Sequence, residues 1–330
     1  MTKTRKTLVT LLCLVAVSTG AARGGDSDVI YPQGVSAERL GTEAIWPAVS
    51  RLKVGDRPRV ILVLGGGGAR GLSAIGVLRV FEQERIPVDQ VIGVSVGALI
   101  GALFASGVSV DRIEEMASEV GWNQLSDFSK VGMVRLILND DLLTTDKMQS
   151  FMDDQVKGRN FSDLNVPFAC IATDLRTGER VIFREGPVAL AARASATIPG
   201  IFRPVEYRHR LLVDGGLVDN FPTDVAITEG NDLIVGVLPR STLKVAEVST
   251  VFQSLVRSIE VQRDVIMKEK KKTADFLIEP DVGSVSFIDL GRSKECIEAG
   301  VVATRKAALD LKKLIIIRTV QRRNHATAQR

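Results

Sequence analysis

The residues best placed to do chemistry in this chain are Gly93-Val94-Ser95-Val96-Gly97. The run Gln90-Val91-Ile92 precedes them and Ala98-Leu99-Ile100 follows. That order predicts a strand, a tight turn and a helix, the setting in which G-x-S-x-G makes a nucleophile elbow. Gly93 and Gly97 leave room for the turn, and Ser95 is forced outward above a helix N-terminus. The free N–H groups and partial positive charge there favour a developing oxyanion.

A serine nucleophile needs a base and an oxyanion hole. The chain has only two histidines. His325 lies in the basic C-terminal stretch, and His209 in the charged turn Tyr207-Arg208-His209-Arg210. Neither stands where a triad imidazole would, so the base is expected to be a carboxylate. Asp214 ends the apolar run Leu211-Leu212-Val213 and precedes Gly215-Gly216, and a strand's carboxyl end is where parallel sheets place functional acids. Taken alone, Asp214-Gly215 would read as a plain turn; beside an elbow serine and no suitable histidine, it reads as a base.

For the oxyanion hole the candidate is Gly66-Gly67-Gly68-Ala69-Arg70-Gly71, whose glycines let backbone N–H groups converge without Cβ obstruction. Arg70 would steady this loop or meet an anionic head group. Gly66-x-Gly68-x-x-Gly71 also satisfies a dinucleotide fingerprint. That motif wants an acid at the end of the second strand, where this chain has Gly93-Val94-Ser95.

These motifs need a scaffold. Buried β-rich runs at 59–64, 91–94, 168–173, 180–183, 211–213, 233–237 and 276–278 predict strands. Helical spacing predicts helices over 72–84, 98–105, 189–196, 248–272 and 293–314. Strand and helix alternating at the start predict right-handed crossovers and a parallel sheet. The chain has 330 residues, 45% of them hydrophobic and only 5% aromatic, so aliphatic side chains must build the core. Its net charge of +4 suits a solvated basic surface, and is also compatible with peripheral contact at an anionic membrane.

The N-terminus reads as a signal peptide over 1–22: Lys3, Arg5 and Lys6, then an apolar stretch, then small residues ending at Ala21-Ala22. Export to the periplasm or beyond the cell is expected. Leu12 stands where a lipoprotein signal needs a small residue, so Cys13 is not expected to carry a lipid. Residues 23–58 read as a linker with room for one short helix, 59–240 as a catalytic domain, 241–315 as a mostly helical part packing on it, and 316–330 as a basic, frayed tail. Cys170 reads as a small buried hydrophobe. No metal, cofactor or nucleic acid is expected, and the oligomeric state is left open.

The ordered set of glycine loop, elbow and Asp214-Gly215-Gly216, with the stretch from Ala194-Ser195-Ala196-Thr197 to Pro204-Val205, resembles the patatin-like phospholipases. The resemblance spans about 59–239 and favours the bacterial branch akin to the neuropathy target esterase domain. It implies a three-layer α/β/α sandwich with a mainly parallel central sheet, related to α/β-hydrolases. It further implies a Ser95–Asp214 dyad of nucleophile and base, an oxyanion hole from Gly66, Gly67 and Gly68, and support from Arg70, Gly71, Gly93, Gly97, Gly215 and Gly216. The implied reaction is hydrolysis of fatty-acyl esters of phospholipids or lysophospholipids through an acyl-enzyme. Asp174, Asp219 and Asn220 are expected to be structural. A carboxylesterase or thioesterase on the same site, a membrane-surface protein without turnover, and a dinucleotide binder are the alternatives.

Overall fold

The computed structural model describes residues 36–119, 121, 125, 142–228, 233–240, 251–287 and 289–328. The expected signal peptide and the first part of the expected linker lie outside the described residues. The chain divides into two compact units: residues 58–308, and the residues up to 57 with those from 309 onward.

In chain order the elements are α1 (Ala37–Val49), β1 (Val60–Leu64), α2 (Ser73–Gln83), β2 (Gln90–Val94), α3 (Val96–Ala105), α4 (Val110–Glu119), α5 (Asp146–Val156), β3 (Phe168–Asp174), β4 (Arg180–Phe183), α6 (Val188–Ser195), β5 (Val205–Tyr207), β6 (Arg210–Asp214), α7 (Thr223–Thr228), β7 (Leu233–Val237), α8 (Val251–Lys270), β8 (Phe276–Ile278) and α9 (Ser293–Ala328). The strands form one sheet in which β1–β2, β1–β7, β2–β3 and β7–β8 are parallel. Pairs β3–β4, β3–β6 and β5–β6 are antiparallel. The expected mainly parallel α/β sheet is therefore present, with an antiparallel corner.

β1, β2, β3 and β7 are buried at every position, as strands covered on both faces must be. Ile61, Val63, Ile92, Val94, Ala169, Ile171 and Ile234 pack in one cluster with Phe221, with Val225 and Ala226 of α7, and with Met267 of α8. Alternate residues face the other way. There Gly101 of α3 approaches Val91 and Phe168 so closely that an added Cβ would lie 2.9 Å from each side chain.

β3 has three partners, and their register positions the site. Ile171 pairs with Val94 of β2 and Ile182 of β4; Ala172 pairs with Val181 of β4 and Asp214 of β6. A strand has two edges, so β2 and β6 share the edge opposite β4. They run in opposite senses and meet with their C-terminal ends together.

In the smaller unit, Ser36 caps α1 by accepting from the Arg39 N–H at 3.2 Å. Thr42, Ile45, Trp46 and Val49 form the buried stripe of α1. Lys312 pairs with Glu43 at 2.9 Å and lies 5.8 Å from the Trp46 ring centre. The C-terminal stretch differs from expectation: α9 runs on to Ala328. Leu311, Ile315, Ile316 and Thr319 give it a buried stripe beneath its charges, so the helix outlasts 314. Among the described residues no helix is long and apolar enough to cross a membrane.

Candidate active site

Ser95 occupies the turn from β2 into α3 with φ of 56° and ψ of −129°, a backbone region side chains usually avoid. Such a residue costs about 1–3 kcal/mol and persists only where its surroundings hold it. The neighbouring glycines make that hold sterically feasible. A Cβ on Gly93 would lie 2.6 Å from the Ala98 Cα, and one on Gly97 would lie 2.4 Å from the Leu64 carbonyl oxygen. The Ser95 N–H donates to Ser195 Oγ at 2.9 Å, and that hydroxyl donates to the Ile171 carbonyl at 2.6 Å. The Ser95 hydroxyl is left to donate to Asp214 Oδ2, at 2.6 Å.

Asp214 is fixed on every side. Its N–H donates to the Thr197 carbonyl at 2.7 Å, and its carbonyl accepts from Thr173 Oγ1 at 3.0 Å. Its Oδ1 accepts from the Gly216 N–H at 2.7 Å. A Cβ on Gly215 would strike the Ile171 carbonyl at 2.2 Å, so only glycine lets the chain turn away here. Burial pushes the Asp214 carboxyl up to about 6, while the Ser95 hydroxyl, the Gly216 N–H and the charge of Arg263 pull it back down. Ionised, this carboxylate can accept a proton from Ser95.

The glycine loop leaves β1 beside the same serine. A Cβ on Gly66 would come 2.9 Å from Ser95 Cβ and 2.5 Å from Asn220 Oδ1. Gly68 has φ of 57°, and a Cβ there would meet the Phe287 carbonyl oxygen at 2.1 Å. Among the described residues no acceptor takes the N–H of Gly67 or Gly68. Both glycines line a cavity of about 230 Å3 with Ser95, Asp214, Asn220 and Arg263. Arg70 is committed within the protein: it donates to the Val285 carbonyl at 3.1 Å and pairs with Glu260 at 3.0 Å. Of its two expected roles, the geometry fits steadying the loop. Gly71 lies behind, facing Val96.

A second cavity of about 90 Å3 also reaches Ser95, and its walls are aliphatic, including Leu72, Ile75, Leu99, Leu103, Met148 and Met152. One cavity therefore offers polar groups beside the serine, and the other offers an apolar slot.

The remaining acids are accounted for. Asp174 pairs with Arg210 at 3.1 Å, and Asp219 is held between Arg180 and Lys270, the latter at 2.7 Å. Asn220, expected to be structural, ties the glycine loop by donating to the Gly66 carbonyl at 3.3 Å, and it also lines the Ser95 cavity. Ser195, Thr197 and Arg263 carried no expected role. Ser195 and Thr197 lie in the stretch that bore the family resemblance, which was their only signal; Arg263 had none. His209 has φ of 65° and, with Arg208, makes the exposed turn between β5 and β6. His325 lies near the end of α9. Neither lines the cavity. Cys170 and Cys296 are buried free thiols. Among the described residues no group of three or more His, Cys, Asp or Glu could hold a metal ion.

Comparison with known proteins adds to this geometry. A family model described as patatin-like phospholipase matches residues 62–227. An NTE family protein of Mycobacterium tuberculosis is 34% identical over 195 residues, covering 58% of this chain and 52% of that protein. The human patatin-like phospholipase domain-containing protein 6 is 31% identical over 209 residues, covering 62% of this chain and 15% of that protein. The chain thus spans about half the length of the mycobacterial relative and far less of the human one. VipD of Legionella pneumophila superposes with a TM-score of 0.51 at 16% identity, covering 78% of this chain and 67% of VipD, a likeness of fold alone.

Proposed function

The chain belongs to the patatin-like phospholipases, a family of lipid acyl hydrolases, and from that premise we propose that it cleaves fatty-acyl esters of phospholipids or lysophospholipids through Ser95 and Asp214. The observation that carries the reading is the 2.6 Å hydrogen bond from the Ser95 hydroxyl to a buried carboxylate, at a strained turn opening into a helix N-terminus.

In this reading Asp214 takes the hydroxyl proton as Ser95 Oγ attacks the ester carbonyl carbon. The carbonyl oxygen gains the negative charge and lies against the N–H groups of Gly67 and Gly68, donors aimed at charge that exists only after attack. Collapse breaks the bond to the alcohol, which leaves with the proton held by Asp214. The acyl group stays on Ser95. Water then repeats the cycle: Asp214 takes its proton, hydroxide adds to the acyl carbon, and the fatty acid leaves as Ser95 recovers its hydrogen. The aliphatic cavity suits the acyl chain, at about 0.8 kcal/mol per buried methylene. That slot favours a fatty-acyl ester over a short-chain one.

A fluorophosphonate should label Ser95, because attack at phosphorus mimics the tetrahedral intermediate. Ser95→Ala should stay folded and lose ester hydrolysis by roughly three or more orders of magnitude. Labelling elsewhere, or an active Ser95→Ala protein, ends the reading.

A further inference from the structure

A third cavity, of about 380 Å3, adjoins the glycine loop. It shares Gly67, Asn220 and Arg263 with the cavity that holds Ser95 and Asp214. Its wall is basic, with Arg70, Arg240, Arg263, Lys268 and Lys271 against one acid, Asp264. Several of these charges are already answered: Arg70 by Glu260 at 3.0 Å, Arg240 by Asp281 at 3.2 Å and Lys271 by Glu279 at 2.7 Å. Two are answered poorly. Arg263 meets Asp264 only at 3.4 Å, and its buried Nε has no hydrogen-bond partner among the described residues. Lys268 is exposed and has no ion-pair partner among them. A guanidinium and an ammonium paired this loosely keep charge available for an anion at the wall.

We infer that this cavity is a phosphate subsite, holding the phosphate of an acyl glycerophosphate while its ester lies at Ser95. The inference rests on the hydrolase reading above. Phosphate suits the wall because it offers several acceptor oxygens to cations approaching from different sides. The Ser95 cavity itself is a poorer place for that group, because among the described residues its lining sets one cation, Arg263, beside the carboxyl groups of Asp214 and Glu260. The three cavities then divide one substrate: the chain in the aliphatic slot, the ester at Ser95, and the phosphate beside the glycine loop. Arg263 and Lys268 become specificity residues, and Arg240 joins them because its pair with Asp281 is exposed and therefore weak.

The test compares kcat/KM for a monoacyl glycerophosphate with kcat/KM for the monoacylglycerol of the same chain, in the wild type and in an R240Q/K268Q variant. Both side chains are exposed, so the variant should fold. The ratio should fall about tenfold, the size of one good charge-assisted contact, and inorganic phosphate should compete with the phosphate-bearing ester. If the ratio holds but inorganic phosphate binds Ser95→Ala protein saturably, and loses that binding when R240Q/K268Q is added, the subsite stands with free phosphate as its ligand. An unchanged ratio without variant-dependent phosphate binding overturns it. A wild type that cleaves neither ester yet keeps variant-sensitive phosphate binding sinks the hydrolase reading and leaves the subsite. Loss of both sinks both.

Discussion

Asp214 and Asp219 lie on one short stretch of chain, are both buried, and live in opposite electrostatic surroundings. Asp219 is clamped between the Arg180 guanidinium and the Lys270 ammonium. Asp214 touches no cation: its carboxylate accepts from a serine hydroxyl and a backbone N–H, and Arg263 acts on it only through its field. The first arrangement neutralises a buried charge, as structural acids require. The second leaves it under-compensated, so burial lifts the carboxyl to about 6, where a proton can be taken and returned near neutral pH. The difference teaches that burial alone does not set an acid's proton affinity. What matters is whether its partner is a cation that neutralises it or a hydroxyl that leaves its charge in place.

The sharpest way to break this contrast is Asp214→Asn. It keeps the shape and removes the proposed base, so turnover should fall by roughly 10⁴ or more. Its effect on stability should have the opposite sign. Between about pH 4 and 6 the wild-type folded state holds a proton on Asp214 that the unfolded chain gives up, so stability falls as pH rises through that window. The gap between 3.8 and about 6 is worth about 3 kcal/mol. The Asn variant lacks that loss and should gain on the wild type, by up to that amount, in denaturant titrations run from pH 4 to 8. A variant that is inactive and unfolded would leave the contrast without support.

Asp219→Asn should do the reverse. It strips the shared carboxylate from Arg180 and Lys270, both partly exposed, and should cost about 1–3 kcal/mol of stability, below the range for fully buried pairs. Ester turnover per folded molecule should stay within about tenfold of wild type, since nothing at Ser95 changes. A large fall in turnover with stability intact would move Asp219 into the chemistry.

On an ester without phosphate, Arg263→Gln should have the smallest effect. Its charge lowers the Asp214 carboxyl, so removing it should move the acidic limb of the pH–rate profile upward. A limb that stays in place, or moves down, would show that the base is not Asp214 or does not feel Arg263.

Much of this site was legible because its parts are local. An elbow is a strand, a turn and a helix within a few residues, and the steric need for Gly93 and Gly97 is written beside Ser95. The strands of the sheet could be read from runs such as Val60–Leu64 and Leu233–Val237, since strands buried on both faces are simply continuous apolar segments. The turn at His209 implied a strand on either side, but the bounds of β5 were not legible, because Val205–Tyr207 alternates too briefly to carry a period and is held by its hairpin with β6. Helices α4 and α5 were missed as well. Each buries only three residues and otherwise reads as polar surface. The far end of α9 was misread because its basic residues mask the apolar stripe that stabilises it.

The sequence by itself determined the setting of Ser95, the glycine loop, and a short list of acids, because glycine spacing and apolar runs act through nearest neighbours along the chain. The place of Asp214 at a strand end before Gly215-Gly216, with no suitable histidine in the chain, put it first on that list, and the family resemblance agreed. Only the tertiary structure decided which acid reaches the serine. Ser95 and Asp214 meet because β2 and β6 share one edge of β3 and end against each other, a register set by long-range pairing. The same packing bound Asp174 and Asp219 to cations, turned Ser195 into the anchor of the Ser95 backbone, and brought Asn220 and Arg263 into the cavity. Charge, burial and partnership are properties of a folded neighbourhood, and no spacing along the chain encodes which side chains will share one.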